Sequence, residues 1–130
     1  MIELPITLTT ACVLGLMFVW LSARVIGGRV QGDVIIGDAG NVSLTYRIRT
    51  HANFSEYVPI FLIILGLTEL SGGNTTVLTV LAVLFVAARL LHVPGMGENA
   101  NLRLRQAGMI GTFIALIVAS CYGLYLAIAT

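Results

Sequence analysis

Arg49-Thr50-His51-Ala52-Asn53-Phe54-Ser55-Glu56-Tyr57-Val58-Pro59 heads a run that otherwise has the composition of a membrane span. Ionisable groups at membrane depth are costly, and where they persist they usually mark a function. A helix turns once every 3.6 residues, so Arg49, Asn53, Glu56 and Tyr57, spaced i, i+4, i+7 and i+8, share one narrow polar stripe. A guanidinium, an amide and a carboxylate side by side suit a zwitterionic ligand. They equally suit an internal Arg49–Glu56 pair that glues helices together, and the segment alone does not separate the two.

Outward from this stretch, the 130-residue chain is 58% hydrophobic and 10% charged. A soluble domain is about a quarter charged. The composition therefore predicts an all-α integral membrane protein, one compact four-helix bundle over residues 1–130 rather than two domains. A net charge of +1 offers no basis for nucleic-acid binding. Cys12 and Cys121 lie in apolar runs and are expected as small buried residues, with no disulfide framework or CxxC site.

A bilayer core takes about 20 apolar residues of helix. The predicted spans lie at about residues 4–26, 46–70, 75–92 and 101–129. The first carries Glu3 and no basic residue before it, which does not suit a signal peptide. Gly27-Gly28-Arg29-Val30-Gln31-Gly32-Asp33 and Gly37-Asp38-Ala39-Gly40-Asn41 are expected as a polar connection punctuated by turns, with Val34-Ile35-Ile36 too short to assign. Pro59 is expected to kink the second span by displacing the Ser55 carbonyl. Ser71-Gly72-Gly73-Asn74 and Pro94-Gly95-Met96-Gly97 are expected to close the second and third spans.

All seven basic residues are arginine, and all sit at the first and third loops or the adjoining helix ends. The positive-inside rule then puts those loops in the cytoplasm and both termini on the far side. Arg24, Arg49, His51, Asn53, Glu56, Tyr57, Arg89, His92 and Arg103 are thereby expected at one level of the bundle. Each arginine also has the plain role of a snorkelling headgroup anchor. Arg105 is the expected anchor, because it points away from a helical Asn99/Arg103/Gln106 stripe. No ligand spacing around His51 or His92 suggests a metal site. An arginine-rich membrane pocket suits a peptide-like anion, whose carboxylates would meet guanidinium groups and whose amine would meet Glu56. If that ligand carries a thiol, a neighbouring arginine favours the reactive thiolate.

Arg-x-His-x-Asn-x-x-Glu-Tyr-x-Pro near the start of a second of four spans resembles the signature of the MAPEG family, the membrane-associated proteins in eicosanoid and glutathione metabolism. Ser22-Ala23-Arg24, Ala88-Arg89-Leu90 and Leu102-Arg103-Leu104 extend the resemblance over nearly the whole chain. The resemblance implies a homotrimer that binds glutathione between protomers near the cytoplasmic face, in a membrane such as the bacterial inner membrane. It implies that Arg49, Asn53, Glu56 and Tyr57 hold the tripeptide's polar ends, and that Arg24 reaches its glycine carboxylate. His51 stands where enzyme members often have glutamine, and Arg103 aligns with the arginine that stabilises the thiolate. The leukotriene-synthase type carries two tyrosines where this chain has His92 and Met96, and a second arginine where it has Val25.

Three expectations follow. The first is a glutathione-dependent transferase or peroxidase acting on a lipophilic electrophile or lipid hydroperoxide, with Arg103 catalytic and Arg24, Arg49, His51, Asn53, Glu56, Tyr57, Arg89 and His92 binding glutathione. The second is a non-enzymatic trimer that holds a membrane lipid or amphiphile. The third is a polar stripe that only joins helices.

Overall fold

The computed structural model describes residues 3–129 as four helices: α1 (Pro5–Gly32), α2 (Val42–Leu70), α3 (Thr75–His92) and α4 (Leu102–Ala129). No strand occurs among the described residues. Each helix is long and apolar enough to cross a membrane, so the bilayer reading of the composition is matched by four spans.

The helix ends follow from their capping groups. Pro5 begins α1, where its missing N–H costs nothing. The free amides there are taken by Glu69, near the end of α2. Its carboxylate accepts from Ile6 N (2.9 Å), Thr7 N (2.8 Å) and the Thr7 hydroxyl (2.6 Å). One acid thus caps α1 and fastens it to α2. Asn41 caps α2 by accepting from Leu44 N at 3.0 Å, and Asn74 caps α3 by accepting from Thr76 N and Val77 N at 3.0 and 3.2 Å.

Two expected boundaries move. Gly27 and Gly28 do not break the first helix, which continues to Gly32 and ends on Asp33 in the left-handed conformation (φ 51°). Gly28 lies where α1 meets α2. A Cβ there would sit 3.0 Å from Leu44 Cδ1, so its smallness serves packing rather than a turn. The second helix starts at Val42, ahead of residue 46, because Asn41 supplies the cap. The helix also runs on through Pro59, whose side is exposed, without an interruption.

The core sits between the four helices. Phe61 of α2 stacks on Phe85 of α3 with centroids 3.8 Å apart. Leu14, Leu21, Leu65, Leu78 and Ala115 close around the pair. The outer faces are apolar too: Leu16, Val19, Val83, Ile117 and Leu124 are exposed, as a lipid-facing surface requires. Cys12 and Cys121 belong to this outer face and are not the buried residues expected from their runs.

α3 and α4 approach most closely at Gly108, where a Cβ would meet His92 Cβ and N at 2.7 Å and the Ala88 carbonyl at 2.8 Å. Gly108→Ala is therefore expected to cost about 1–3 kcal/mol in detergent unfolding, the usual range for overpacking. Gly15→Ala, with nothing within 4 Å of its Cβ position, is expected to be neutral or stabilising by about 0.5–1 kcal/mol.

Candidate functional site

The site is organised around a buried cation. Arg89, one turn before the end of α3, is 1% exposed. Its Nη2 donates to Asn53 Oδ1 of α2 at 2.5 Å and lies 3.5 Å from His92 Nδ1. Its Nη1 donates to the Thr112 hydroxyl of α4 at 3.2 Å. Thr112 has already given its proton to the Gly108 carbonyl, at 2.7 Å, so its oxygen is free to accept. The guanidinium carbon lies 6.0 Å from the Phe54 ring centroid and 5.9 Å from that of Tyr57, within the range of cation–π attraction. No hydrogen-bond partner of this cation among the described residues is a carboxylate, and its Nε is buried with no partner.

Beside Arg89 lies a cleft of about 430 Å³. α2 contributes Val42, Thr45, Tyr46, Arg49 and Asn53; α3 contributes His92; the following loop contributes Met96; α4 contributes Arg105 and Met109. Two guanidinium groups, an amide and an imidazole border it, and no carboxylate lines it. The arrangement is suited to an anion.

Of the residues expected from the sequence, Arg49, Asn53 and His92 meet in this cleft, with Arg89 beneath them. Tyr57 is half-buried next to Arg89 and packs edge-on against Phe113 at 5.7 Å. The others do not border this cleft within the protomer. His51 faces α1, with Nε2 3.0 Å from the Ser22 hydroxyl and its ring 4.9 Å from Phe18. Arg24 lies over the Trp20 ring at 5.2 Å and borders a separate cavity of about 440 Å³ with Met17, Pro94 and Met96. Glu56 and Arg103 are exposed and line no part of the cleft. Arg49 is exposed as well, so nothing within the protomer favours a buried Arg49–Glu56 glue pair.

Arg105 is the residue that sequence reasoning set aside. A helical stripe through Asn99, Arg103 and Gln106 would have turned it outward, but α4 begins only at Leu102, so Asn99 is not part of any such stripe. Asn101 instead accepts from Arg103 N at 3.0 Å. The α3–α4 loop presses Gly95 onto the backbone of Arg105, where a Cβ would come within 2.7 Å of the Arg105 Cα. A glycine directly after Pro94 was the available signal for that close approach.

Between α1 and α2, Asp38 orders the loop that leads into the cleft wall. It accepts from the Thr45 hydroxyl at 2.6 Å and from Gly40 N at 3.0 Å. Arg29 closes the same loop by donating to the Gly37 carbonyl at 2.7 Å.

The chain belongs to the MAPEG family, whose profile matches residues 7–125. It is similar to the "Inner membrane protein YecN" of Escherichia coli strain K12, with 32% identity over 103 residues covering 79% of this chain and 78% of the relative. The protein of the same name from Escherichia coli O6:H1 matches to the same extent. With four spans and this family, the protein is a multi-pass integral membrane protein.

The Thr45 hydroxyl, and after it the Gly40 amide, holds the Asp38 carboxyl below its ordinary value. A carboxyl lowered by folding stabilises the fold above its unfolded pKa, and that contribution is lost as pH falls through the lowered folded value. Protection of the Gly40 amide from hydrogen exchange, corrected for intrinsic rates, should therefore fall below about pH 4. Asp38→Asn should remove this dependence.

Proposed function

We propose that the protein is a glutathione-dependent transferase or peroxidase of the membrane, acting on a lipophilic electrophile or lipid hydroperoxide. The observation that carries this reading is the cleft bordered by Arg49, Arg105, Asn53 and His92, over Arg89 and free of carboxylates. Membership of a family named for eicosanoid and glutathione metabolism supports it. The ligand's carboxylates would take paired, charge-assisted hydrogen bonds from guanidinium groups.

The chemistry asked of the protein is modest. A guanidinium beside the sulfur favours the thiolate. In transfer, the thiolate forms an S–C bond to the electrophile, which expels its leaving group or takes up a proton. In peroxide reduction, sulfur attacks the terminal oxygen, the O–O bond breaks, the alkoxide takes a proton, and a second thiol converts the sulfenic acid to a disulfide and water. The resemblance gives the thiolate to Arg103. Within the protomer Arg105 is the fourth-helix arginine at the cleft, so each is assigned by its own variant.

The reading includes a homotrimer in the inner membrane, with the first and third loops cytoplasmic. Three facts support a neighbour. Glu56 stands midway along a membrane helix, exposed and outside the cleft, where a lone carboxylate facing lipid is costly. Arg103 is exposed, and Arg24 lines a different cavity. A site shared between protomers gives all three a ligand. The relatives' name supports the inner membrane.

A second reading, a trimer that holds a lipid without turnover, is favoured by Met96. It lines the cleft where the leukotriene-synthase type presents a tyrosine, and a thioether offers only a weak acceptor and no donor.

Calorimetry of the detergent-purified protein separates the two. Saturable glutathione binding, weakened at least about tenfold in Arg49→Ala, is expected, because a charge-assisted pair is worth about 1.5–3 kcal/mol. Loss of conjugation of a hydrophobic aryl halide in Arg103→Ala or Arg105→Ala, with binding retained, would assign the thiolate partner. Absence of binding at millimolar glutathione would transfer the case to the lipid-holding trimer.

A further inference from the structure

An amide side chain has one acceptor oxygen and an amino group with two donors. The oxygen of Asn53 is committed to Arg89 Nη2. Its Nδ2 therefore faces the cleft, where its partner within the chain is the Met109 sulfur at 3.8 Å, a weak acceptor that a ligand oxygen easily displaces. His92 is constrained in the same sense. Its Nδ1 faces the Arg89 guanidinium at 3.5 Å. A proton on that nitrogen would point one donor at another, so the ring hydrogen belongs on Nε2. Arg89 thus takes up the two acceptors that Asn53 and His92 could otherwise have shown to the cleft. What remains at the edge is the Asn53 amino group, the His92 Nε2–H, the guanidinium groups of Arg49 and Arg105, and two hydroxyl residues, Tyr46 and Thr45, the latter with its proton given to Asp38.

We propose that Arg89 sets the hydrogen-bond polarity of this cleft, making it a site for the acceptor-only anionic end of a ligand (a carboxylate, sulfonate or thiolate) and excluding an ammonium. Arg89 is 1% exposed and acts through Asn53 and His92, so it is a positioning residue. The inference rests on the cleft being a ligand site, as proposed above, and it narrows that reading. A zwitterionic ligand enters with its anionic end, and its amine is left to a group outside the cleft, such as the exposed Glu56.

Two measurements test it without depending on a variant that loses its buried cation. Asn53→Asp replaces the donor with a second acceptor and gives Arg89 a carboxylate. This protein should fold with equal or higher thermal stability, and lose at least about tenfold in affinity for both inorganic sulfate and glutathione sulfonate, measured against chloride at matched ionic strength. Nitrogen NMR of the ¹⁵N-histidine protein reads the tautomers of its two histidines, with a His51→Gln variant assigning the signals. His92 should be in the Nε2–H form, and the Nδ1–H form should appear in Arg89→Lys, whose side chain ends one bond short of the Nη2 position and so withdraws the donor from His92 Nδ1. A purely structural Arg89 would leave that signature unchanged.

Undiminished anion binding by Asn53→Asp, or an Nδ1–H His92 in the wild type, overturns the inference even if glutathione binds. Sulfate binding that is lost in Asn53→Asp, with no glutathione binding, keeps the inference and removes the glutathione reading. Failure of both anions to bind the wild type overturns both.

Discussion

A cation enclosed by three membrane helices is the constraint on which the functional end of this bundle depends. Arg89 cannot reach water, and no carboxylate among its described partners neutralises it. Leaving such a group without hydrogen bonds would cost several kcal/mol. Its two terminal nitrogens are met by one oxygen from α2, one from α4 and the His92 ring, and two aromatic faces flank it, while Nε is left unpartnered. Each contact fixes a neighbour. Asn53 is oriented by its committed oxygen, and Thr112 is oriented by giving its proton to Gly108. α4 comes close enough to supply Thr112 because residue 108 carries no side chain.

The far end of the bundle is held by an analogous device with the opposite charge. Glu69 takes the first free amides of α1, a carboxylate at the positive end of a helix dipole. Between these two polar clasps the contacts are apolar, with the Phe61–Phe85 stack at the centre. In a bilayer, apolar burial between helices gives little net drive, because lipid is as apolar as the core. Polar clasps at the ends and close approach at glycines are then what specify the packing.

Much of this was legible in the sequence, for identifiable reasons. Four apolar runs of membrane length announced four helices, and the signature from Arg49 to Pro59 announced both the family and the polar end. Turn residues were less informative. Gly27 and Gly28 have the composition of a loop, yet both lie within α1, where Gly28 sits close against the Leu44 and Arg47 side chains and Gly27 has open space at its Cβ position. Arg105 was concealed by taking the Asn99/Arg103/Gln106 side of the fourth helix as the inward one; Arg105, Met109 and Thr112, spaced i, i+4 and i+7, are the residues of α4 that reach the cleft and Arg89. The separation of Arg24 and His51 from the Arg49 cleft depends on which side of α2 faces α1, and spacing within single helices carries no such information. Cys12 and Cys121 show the same limit, since an apolar run faces lipid as readily as it faces protein.

The protomer has a cleft of donors and, elsewhere on its surface, an unshared acid and two further arginines, as expected of a site completed by a neighbour. Native mass spectrometry of the protein released from detergent, with and without millimolar glutathione, tests this most directly, because it counts chains and ligands together. The account predicts a three-chain assembly that gains up to three glutathione masses. A single chain, or a three-chain assembly that keeps lipid and takes up no glutathione, would contradict it.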